Sequence, residues 1–339
     1  MTPEEVQQAK ARAEELKQNI RRQKERLLDT DLSEWSHQQG IAPARGRDLR
    51  VRRTLKGHDG KIYAMRWSYD SRHVLSAAQD GKMILWEAPT TNKLAAVNLS
   101  SSWVMCCDLS QDRSLAASGG LDNVCTIHRL STGEKVVELN GHTGFLSGCR
   151  FLPSNQMLTV SGDARAIQWD AERGVPVREF IGHSGDIACM DVCDAHVFAT
   201  GGCDFNVRVW DVRTGRTERM FTGNEADVNA LAFFPDGNAL ATGSENGCVR
   251  LYDLRADNEI AMYVHDDMVS LVTSLSFSPS GQFLFVGYDD SNYCQWDVLR
   301  AERTLIVAAH DQRISSLGVA PDGTALCTAS WDGVLKIWS

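Results

Sequence analysis

The chain has 339 residues, of which 43% are hydrophobic and 23% charged, and its formal net charge at pH 7 is −9. This composition is typical of a protein that buries a sizeable apolar core. No stretch approaches the roughly 18 apolar residues that span a bilayer, the amino terminus has no apolar signal-peptide region, and the acidic balance argues against a nucleic-acid binder. We therefore expect a cytosolic protein whose partners are proteins.

The ten cysteines are scattered through strand-like segments, and none forms a C-x-x-C pair. Because cysteine is often buried as a small hydrophobe, we expect reduced thiols in the core rather than a metal or redox site. No cofactor is predicted.

The first predicted element is a helix over residues 4–29, within an amino-terminal segment of residues 1–30. Its seam residues alternate at spacings of three and four, which is the heptad pattern of a coiled coil. They are Val6, Ala9, Ala13, Leu16, Ile20, Gln23 and Leu27. Since no other segment supplies a second helix, the seam predicts a separate partner helix; packing on the side of the chain's own main domain is the alternative. Residues 31–48 are assigned to a linker, and residues 49–339 to the main domain.

The main domain contains seven copies of one repeat. Each copy ends in an aromatic residue or histidine that closes a short apolar run, at intervals of 41 to 44 residues. The closing residues are Trp86, His128, Trp169, Trp210, Tyr252, Trp296 and Trp338. The residues six positions before them are, in the same order, Asp80, Asp122, Asp163, Asp204, Asn246, Asp290 and Asp332. A register held this long indicates supersecondary units whose apolar faces are buried by their neighbours.

Each repeat is predicted to form four short strands. In the fourth repeat they are expected at 187–192, 197–201, 207–210 and 216–221, with polar turns between them. β-Branched and apolar residues broken by turns every 8 to 12 residues are typical of all-β proteins. The sequence therefore predicts an all-β, seven-bladed β-propeller preceded by a coiled-coil helix.

A histidine precedes several repeats, at His58, His142, His183 and His310. The aspartate of the same repeat is predicted to lie in the tight turn between the second and third strands. A histidine that bridges this aspartate to a strand hydroxyl or indole would lock the blade. Catalytic His–Asp chemistry is the alternative, but repetition in several copies favours the structural role. Asn224 takes the histidine's place in the fifth repeat, the second repeat lacks Gly-His, and in the longer sixth repeat His265 is displaced, so these blades are expected to be locked less firmly.

Ring closure is predicted from the two ends of the main domain. One residue follows Trp338, so the seventh repeat has no fourth strand of its own, and segment 49–55 lies where every other repeat carries one. We expect this segment to pair with the last three strands. The basic run here is interpreted as charge that protects an outermost strand, with a nucleic-acid or lipid patch as the alternative. The run consists of Arg45, Arg47, Arg50, Arg52, Arg53 and Lys56.

Gly-His followed after about 25 residues by D-x-x-x-x-x-W-D is the signature of WD repeats, as in Asp163…Trp169-Asp170 and Asp204…Trp210-Asp211. With its heptad helix, the chain resembles the β subunit of heterotrimeric G proteins over essentially its whole length. The resemblance is specific in stretches that generic WD repeats do not share, such as RTLKGH at 53–58, SSWVM at 101–105 and GGLDN at 119–123.

The resemblance implies a non-enzymatic signalling adaptor. It would dimerise with a small prenylated γ subunit through the coil, bind a GDP-loaded α subunit on one propeller face, and contact effectors when released. Lipidated γ would hold it at the inner face of the plasma membrane. The α-facing and effector-facing positions implied are Lys61, Tyr63, Trp103, Met105, Leu121, Asn123, Phe145, Asp186, Asp227, Asn229 and Trp331. The family usually has tyrosine at Phe145, an apolar residue at Asp59, and often aspartate at Glu245.

The residues themselves support a binding rim. Trp103 replaces the Gly-His region of its repeat and Trp331 precedes a turn aspartate, so both indoles are predicted in loops at one rim, where aromatic anchors act as hot spots. The alternative is that they fill the core. No phosphate-binding G-x-x-x-x-G-K-[ST] motif occurs, so the nucleotide is assigned to the partner. Another coiled-coil WD-repeat scaffold, such as a transcriptional corepressor with a self-associating coil, is the alternative function; a propeller enzyme would need unassigned acids, bases or metal ligands around the channel.

Overall fold

Seven four-stranded antiparallel sheets make up the described part of the main domain, which confirms the predicted seven-bladed propeller. The computed structural model describes residues 49–264 and 270–339, residues 32–42, and eight positions between 8 and 19. The eight positions all have helical backbone, and they include the exposed seam residues Ala13 and Leu16. The other predicted seam residues, Val6, Ala9, Ile20, Gln23 and Leu27, lie outside the described residues, as does His265.

The blades follow one another in chain order, and within each the first strand lines the central channel. Blade 1 comprises β2 (Ile62–Trp67), β3 (His73–Ala78), β4 (Lys82–Glu87) and β5 (Lys93–Asn98), after β1 (Val51–Lys56). Blade 2 comprises β6 (Val104–Leu109), β7 (Leu115–Gly120), β8 (Cys125–Arg129) and β9 (Lys135–Leu139). Blade 3 comprises β10 (Leu146–Leu152), β11 (Gln156–Ser161), β12 (Arg165–Asp170) and β13 (Val175–Ile181). Blade 4 comprises β14 (Ile187–Val192), β15 (Val197–Gly202), β16 (Val207–Asp211) and β17 (Arg216–Phe221).

The remaining three blades repeat this order. Blade 5 comprises β18 (Val228–Phe233), β19 (Ala239–Ser244), β20 (Val249–Asp253) and β21 (Asn258–Tyr263). Blade 6 comprises β22 (Val272–Phe277), β23 (Phe283–Tyr288), β24 (Asn292–Asp297) and β25 (Glu302–Ala308). Blade 7 comprises β26 (Ile314–Val319), β27 (Leu326–Ser330) and β28 (Val334–Trp338).

Blade 7 takes its fourth strand from the beginning of the main domain. Strand β1 lies antiparallel to β28, with Leu55 opposite Leu335 and Val51 opposite Trp338. Leu55 and Leu335 are both buried, whereas Val51 is 44% exposed. The two ends of the propeller therefore share one sheet, and the strands of blade 7 come from opposite ends of the sequence.

The apolar core lies between neighbouring blades. Phe180 at the end of blade 3 packs edge-on against Phe198 of blade 4, with ring centroids 4.9 Å apart, and against Trp210 at 5.8 Å. All three side chains are buried. Because each blade covers the face of the next, the repeat requires its neighbours, and the ring requires all seven.

The segment assigned to the linker, residues 31–48, contains a short helix, α1 (Leu32–Gln38), which the sequence analysis did not predict. Leu32 packs against the apolar cluster shared by blades 5 and 6, and Ser36 is fully buried. Ser33 Oγ donates to the backbone oxygen of Arg300, whose guanidinium in turn donates to the backbone oxygen of Ile41. Contacts with the propeller therefore hold a helix that its polar sequence alone does not indicate.

No helix in the described part of the chain is both long and apolar enough to cross a membrane. All ten cysteines are free thiols, and seven of them are buried.

Candidate functional site

A hydrogen-bonded chain of four side chains locks blades 1, 3, 4 and 7. In blade 4, His183 Nδ1 lies 3.0 Å from the Asp204 carboxylate and His183 Nε2 lies 2.7 Å from Thr200 Oγ1. The indole of Trp210 donates to the same hydroxyl at 2.8 Å. The equivalent chains are His58–Asp80–Ser76–Trp86, His142–Asp163–Thr159–Trp169 and His310–Asp332–Thr328–Trp338. Each chain joins the turns at one end of a blade to its buried strands.

In blades 1, 3 and 4 the environment of the lock favours neutral histidine and ionised aspartate. Burial lowers the pKa of His183 even though the Asp204 carboxylate acts to raise it. Burial acts to raise the pKa of Asp204, but hydrogen bonds from the backbone of Ser184 and from His183 outweigh it, and the pKa is lowered. The same directions hold for His58 with Asp80 and His142 with Asp163.

Acidification from about pH 7.5 to about pH 5.5 is expected to lower the melting temperature. The native pKa values of His58, His142 and His183 lie below the ordinary 6.5, so the unfolded chain takes up protons first as the pH falls. Stability is therefore lost as the pH falls through 6.5. The aspartates affect stability at lower pH. Their contribution to stability is present above their ordinary pKa of 3.8 and is lost as the pH falls through their depressed native pKa values. Thermal unfolding across this range measures the effect.

The control for this prediction is His183→Asn, since Asn224 occupies the corresponding place in blade 5. The variant should be less stable at neutral pH but should show a shallower decline on acidification. A melting temperature that stays constant or rises as the pH falls would contradict the assignment of neutral histidines.

The lock differs in the other blades, as their sequences indicate. In blade 5, Asn224 Oδ1 accepts from Thr242 at 3.3 Å and from Ser244 at 3.4 Å. In blade 2, Asp122 accepts only a long 3.4 Å bond from the backbone of Val124, and His128 Nδ1 has no hydrogen-bond partner among the described residues. In blade 6, Asp290 binds the backbone and side-chain amides of Asn292, while Trp296 closes the repeat.

The predicted binding residues occupy equivalent positions around one face of the propeller. We call the residues immediately before the seven inner strands the first ring. It consists of Lys61, Trp103, Phe145, Asp186, Asp227, Leu271 and Arg313. The backbone oxygen of each accepts a hydrogen bond from the residue that follows the second strand of the same blade, and we call these residues the second ring. They are Gln79, Leu121, Gly162, Cys203, Glu245, Asp289 and Trp331.

Of the predicted binding residues, five belong to the first ring and two, Leu121 and Trp331, to the second. Tyr63, Met105 and Asn229 lie one position inside the inner strands and face the channel, while Asn123 lies in the adjacent turn of blade 2. The structure therefore brings all eleven predicted residues to a single face. The channel that they surround has a volume of about 880 Å³.

An aromatic cluster lies where blades 1, 2 and 7 meet. The ring of Tyr63 stands 6.3 Å from that of Trp103 and 6.0 Å from that of Trp331. Lys61 Nζ lies over the Trp331 ring, 4.0 Å from its centroid, and the guanidinium of Arg313 lies 5.1 Å from it. Trp103 is 45% exposed, so it does not fill the core. With the cations of Lys61 and Arg313 stacked on an indole and Trp103 exposed, this part of the face is apolar and basic.

Charge is divided around the same face. Lys61 and Arg313 stand on blades 1 and 7, whereas Asp186, Asp227 and Glu245 stand on blades 4 and 5. The structure gives these three acids no salt bridge to any described residue. Such a polarised ring orients a partner of matching polarity, because a rotated partner would meet like charges.

Leu271 and Arg313 complete the first ring, although the sequence reasoning did not select them. The repeat register holds the signal: Arg313 precedes β26 as Lys61 precedes β2. A second set of missed residues lies at the far end of the channel. There Asp108 of blade 2 accepts from the backbone of Phe151 in blade 3 at 2.7 Å and pairs with Arg66 of blade 1 at 3.3 Å. These contacts tie inner strands of successive blades together.

A seven-bladed WD-repeat propeller with an aromatic and charged rim around its channel defines a protein-interaction scaffold. The described residues contain no group of three histidine, cysteine or acidic side chains that could hold a metal ion. The chain belongs to the G protein β WD-40 repeat family, whose model matches residues 3–339.

Curated relatives agree with this membership. The chain is 46% identical over 341 residues to the guanine nucleotide-binding protein subunit beta of Dictyostelium discoideum. The matched region covers 99% of this chain and 98% of the relative. The chain is also 46% identical over 332 residues to the guanine nucleotide-binding protein G(I)/G(S)/G(T) subunit beta-1 of Homarus americanus, covering 96% and 97%. The resemblance seen in the sequence is thus confirmed, and the chain has the signalling role of a G protein β subunit.

Proposed function

We propose that the chain is the non-enzymatic β subunit of a heterotrimer. Its amino-terminal helix pairs with the helix of a γ subunit to form an obligate dimer, and the lipid on γ places the dimer at the inner face of the plasma membrane. The first and second rings bind the α subunit in its GDP state. After release, the same rings contact effectors in G-protein-coupled receptor signalling.

The aromatic cluster is the observation that carries this proposal. Tyr63, Trp103 and Trp331 form an apolar centre, Lys61 and Arg313 flank it, and the acids of blades 4 and 5 face it across the channel. Aromatic anchors surrounded by charge are typical of binding hot spots. The sequence has no G-x-x-x-x-G-K-[ST] phosphate-binding motif, so we assign the nucleotide switch to the α subunit. Exchange of GDP for GTP reorders the α surface and removes the fit to a rim that itself stays unchanged.

Coexpression with a γ subunit tests the first step. We expect a one-to-one dimer on sizing, and little stable protein without γ. In the matched pair of variants, Leu16→Asp on the seam should reduce recovery of γ by at least about tenfold, because a carboxylate would be buried between the helices. Gln18→Asp, off the seam and also exposed, should leave recovery unchanged.

Two outcomes would overturn this step. Self-assembly of the chain through its helix without γ would favour the corepressor-like scaffold. Equal recovery of γ with Leu16→Asp and Gln18→Asp would show that the seam is not the γ contact.

A further inference from the structure

The tight turn between the second and third strands of every blade contains one residue with left-handed backbone. These residues are Gly81, Asn123, Ala164, Phe205, Gly247, Ser291 and Gly333, with φ between 63° and 81°. Glycine adopts this conformation without penalty, and asparagine tolerates it. Phenylalanine at such a position is a conformational outlier, because its bulky side chain opposes the positive φ.

Phe205 is also poorly covered. Its side chain is 44% exposed, although it is a large apolar group at the tip of a turn. The turn itself is held by the backbone: Phe205 N–H donates to Gly202, and its oxygen accepts a 3.4 Å bond from Asn224. Both bonds use only the backbone of Phe205, so they do not require a phenylalanine side chain. The fold thus tolerates both strain and apolar exposure at this position, a combination that marks functional sites.

The position of Phe205 links it to the rim. It lies two residues after the second-ring residue Cys203, whose backbone N–H donates to the backbone oxygen of Asp186 in the first ring at 2.8 Å. In blade 2 the equivalent left-handed residue is Asn123, one of the predicted binding residues. Phe205 therefore stands on the same face as the rings and extends it outward at blade 4.

The acidic ring residues of blades 4 and 5 indicate what kind of partner surface Phe205 would contact. Asp186 and Asp227 are the neighbouring first-ring residues, and Glu245 is the second-ring residue of blade 5. The structure pairs none of these acids with a described cation, whereas the basic first-ring residues lie on blades 1 and 7. An apolar side chain on the part of the face that carries these carboxylates complements a partner surface that has an apolar pocket bordered by lysine or arginine.

We infer that Phe205 is a further anchor for the GDP-loaded α subunit, received by an apolar pocket with a basic border on that subunit. The inference rests on the proposed function and extends its contact surface from the aromatic cluster to blade 4. The rim then has apolar anchors at two separate places, with opposite charge beside each.

The substitution Phe205→Asn separates binding from folding. Asparagine, found naturally at the equivalent position 123, should relieve the left-handed strain, so the melting temperature of the dimer with γ should stay the same or rise. Affinity for GDP-loaded α should fall by about tenfold, the loss typical of a truncated anchor.

The matched control is Thr91→Gly. Thr91 is also left-handed, with φ 67°, but lies in the turn between β4 and β5 at the other end of the blade, where blades 2 to 4 have Gly133, Gly174 and Gly215. This variant should likewise not lower the melting temperature, and it should keep full affinity for α.

The possible outcomes distinguish a failure of this inference from a failure of the proposed function on which it rests. Failure of the unaltered dimer to bind GDP-loaded α would reject the proposed function itself. Normal binding by the unaltered dimer and equal binding by Phe205→Asn would overturn the inference alone, even if an effector bound less well. A lower melting temperature for Phe205→Asn would overturn it too, because Phe205 would then serve the fold.

Discussion

In the dimer with γ, a chain that ends at Ser330 is expected to melt at least about 10 °C below the full chain, or not to fold. The truncation removes β28, and with it Asp332 and the buried Trp338 of the blade 7 lock. Loss of a buried tryptophan side chain alone costs about 3–5 kcal/mol, and each kcal/mol lowers the melting temperature by roughly 2–4 °C in a domain of moderate size. β1 would also lose the strand it pairs with, which opens the ring. Calorimetry or circular dichroism measures the change.

Point variants in β1 keep this prediction testable if the truncated chain does not fold. Leu55→Ala removes a fully buried side chain from the closing sheet and should cost about 2–5 kcal/mol. Val51→Ala, in the same strand but largely exposed, should change the melting temperature little. Equal melting temperatures for the Leu55→Ala variant and the unaltered chain would contradict closure by β1.

Much of the fold could be predicted because the repeat is periodic and local. The four strands expected in blade 4 agree with the structure to within one residue at each end. Turn residues, apolar runs and the aspartate register are all features of neighbouring positions. The helix α1 could not be predicted in this way, because Leu32 and Ser33 are held by residues of blades 5 and 6 that are more than 200 positions away.

The site was predictable only in part, for a related reason. The resemblance to the family indicated single residues, but the ring that includes Leu271 and Arg313 depends on blade geometry. The stacking of Lys61 on Trp331 joins the first blade to the last, a contact that no local pattern describes. The left-handed backbone of Phe205 was also hidden, since a phenylalanine in a turn has no sequence signature of positive φ.

Trp331→Ala is expected to weaken binding of GDP-loaded α by about thirtyfold or more, the effect of losing a central hot spot of roughly 2 kcal/mol. Trp331 packs against the ring of Tyr63 and stacks with Lys61 and Arg313, so its removal takes away the contacts that join blades 1 and 7 in the aromatic cluster. The melting temperature should change far less than in the closure variants, since Trp331 lies on the rim. Titration of α onto the dimer with γ measures the affinity.

The control is Tyr69→Ala, which removes an aromatic side chain that is 60% exposed at the opposite mouth of the channel. This variant should bind α as the unaltered protein does. A loss of affinity shared equally by Tyr69→Ala and Trp331→Ala would mean that neither effect is local to the rim.

Nucleotide-dependent capture of the α subunit by the dimer with γ is the most direct measurement of all. Affinity for α loaded with GDP should exceed affinity for α loaded with a GTP analogue by at least about tenfold, within the usual range of coupling between two binding events. Trp331→Ala should remove most of that difference by weakening the GDP complex. Equal capture in both nucleotide states would contradict the assignment of the rim as the surface that the α subunit releases.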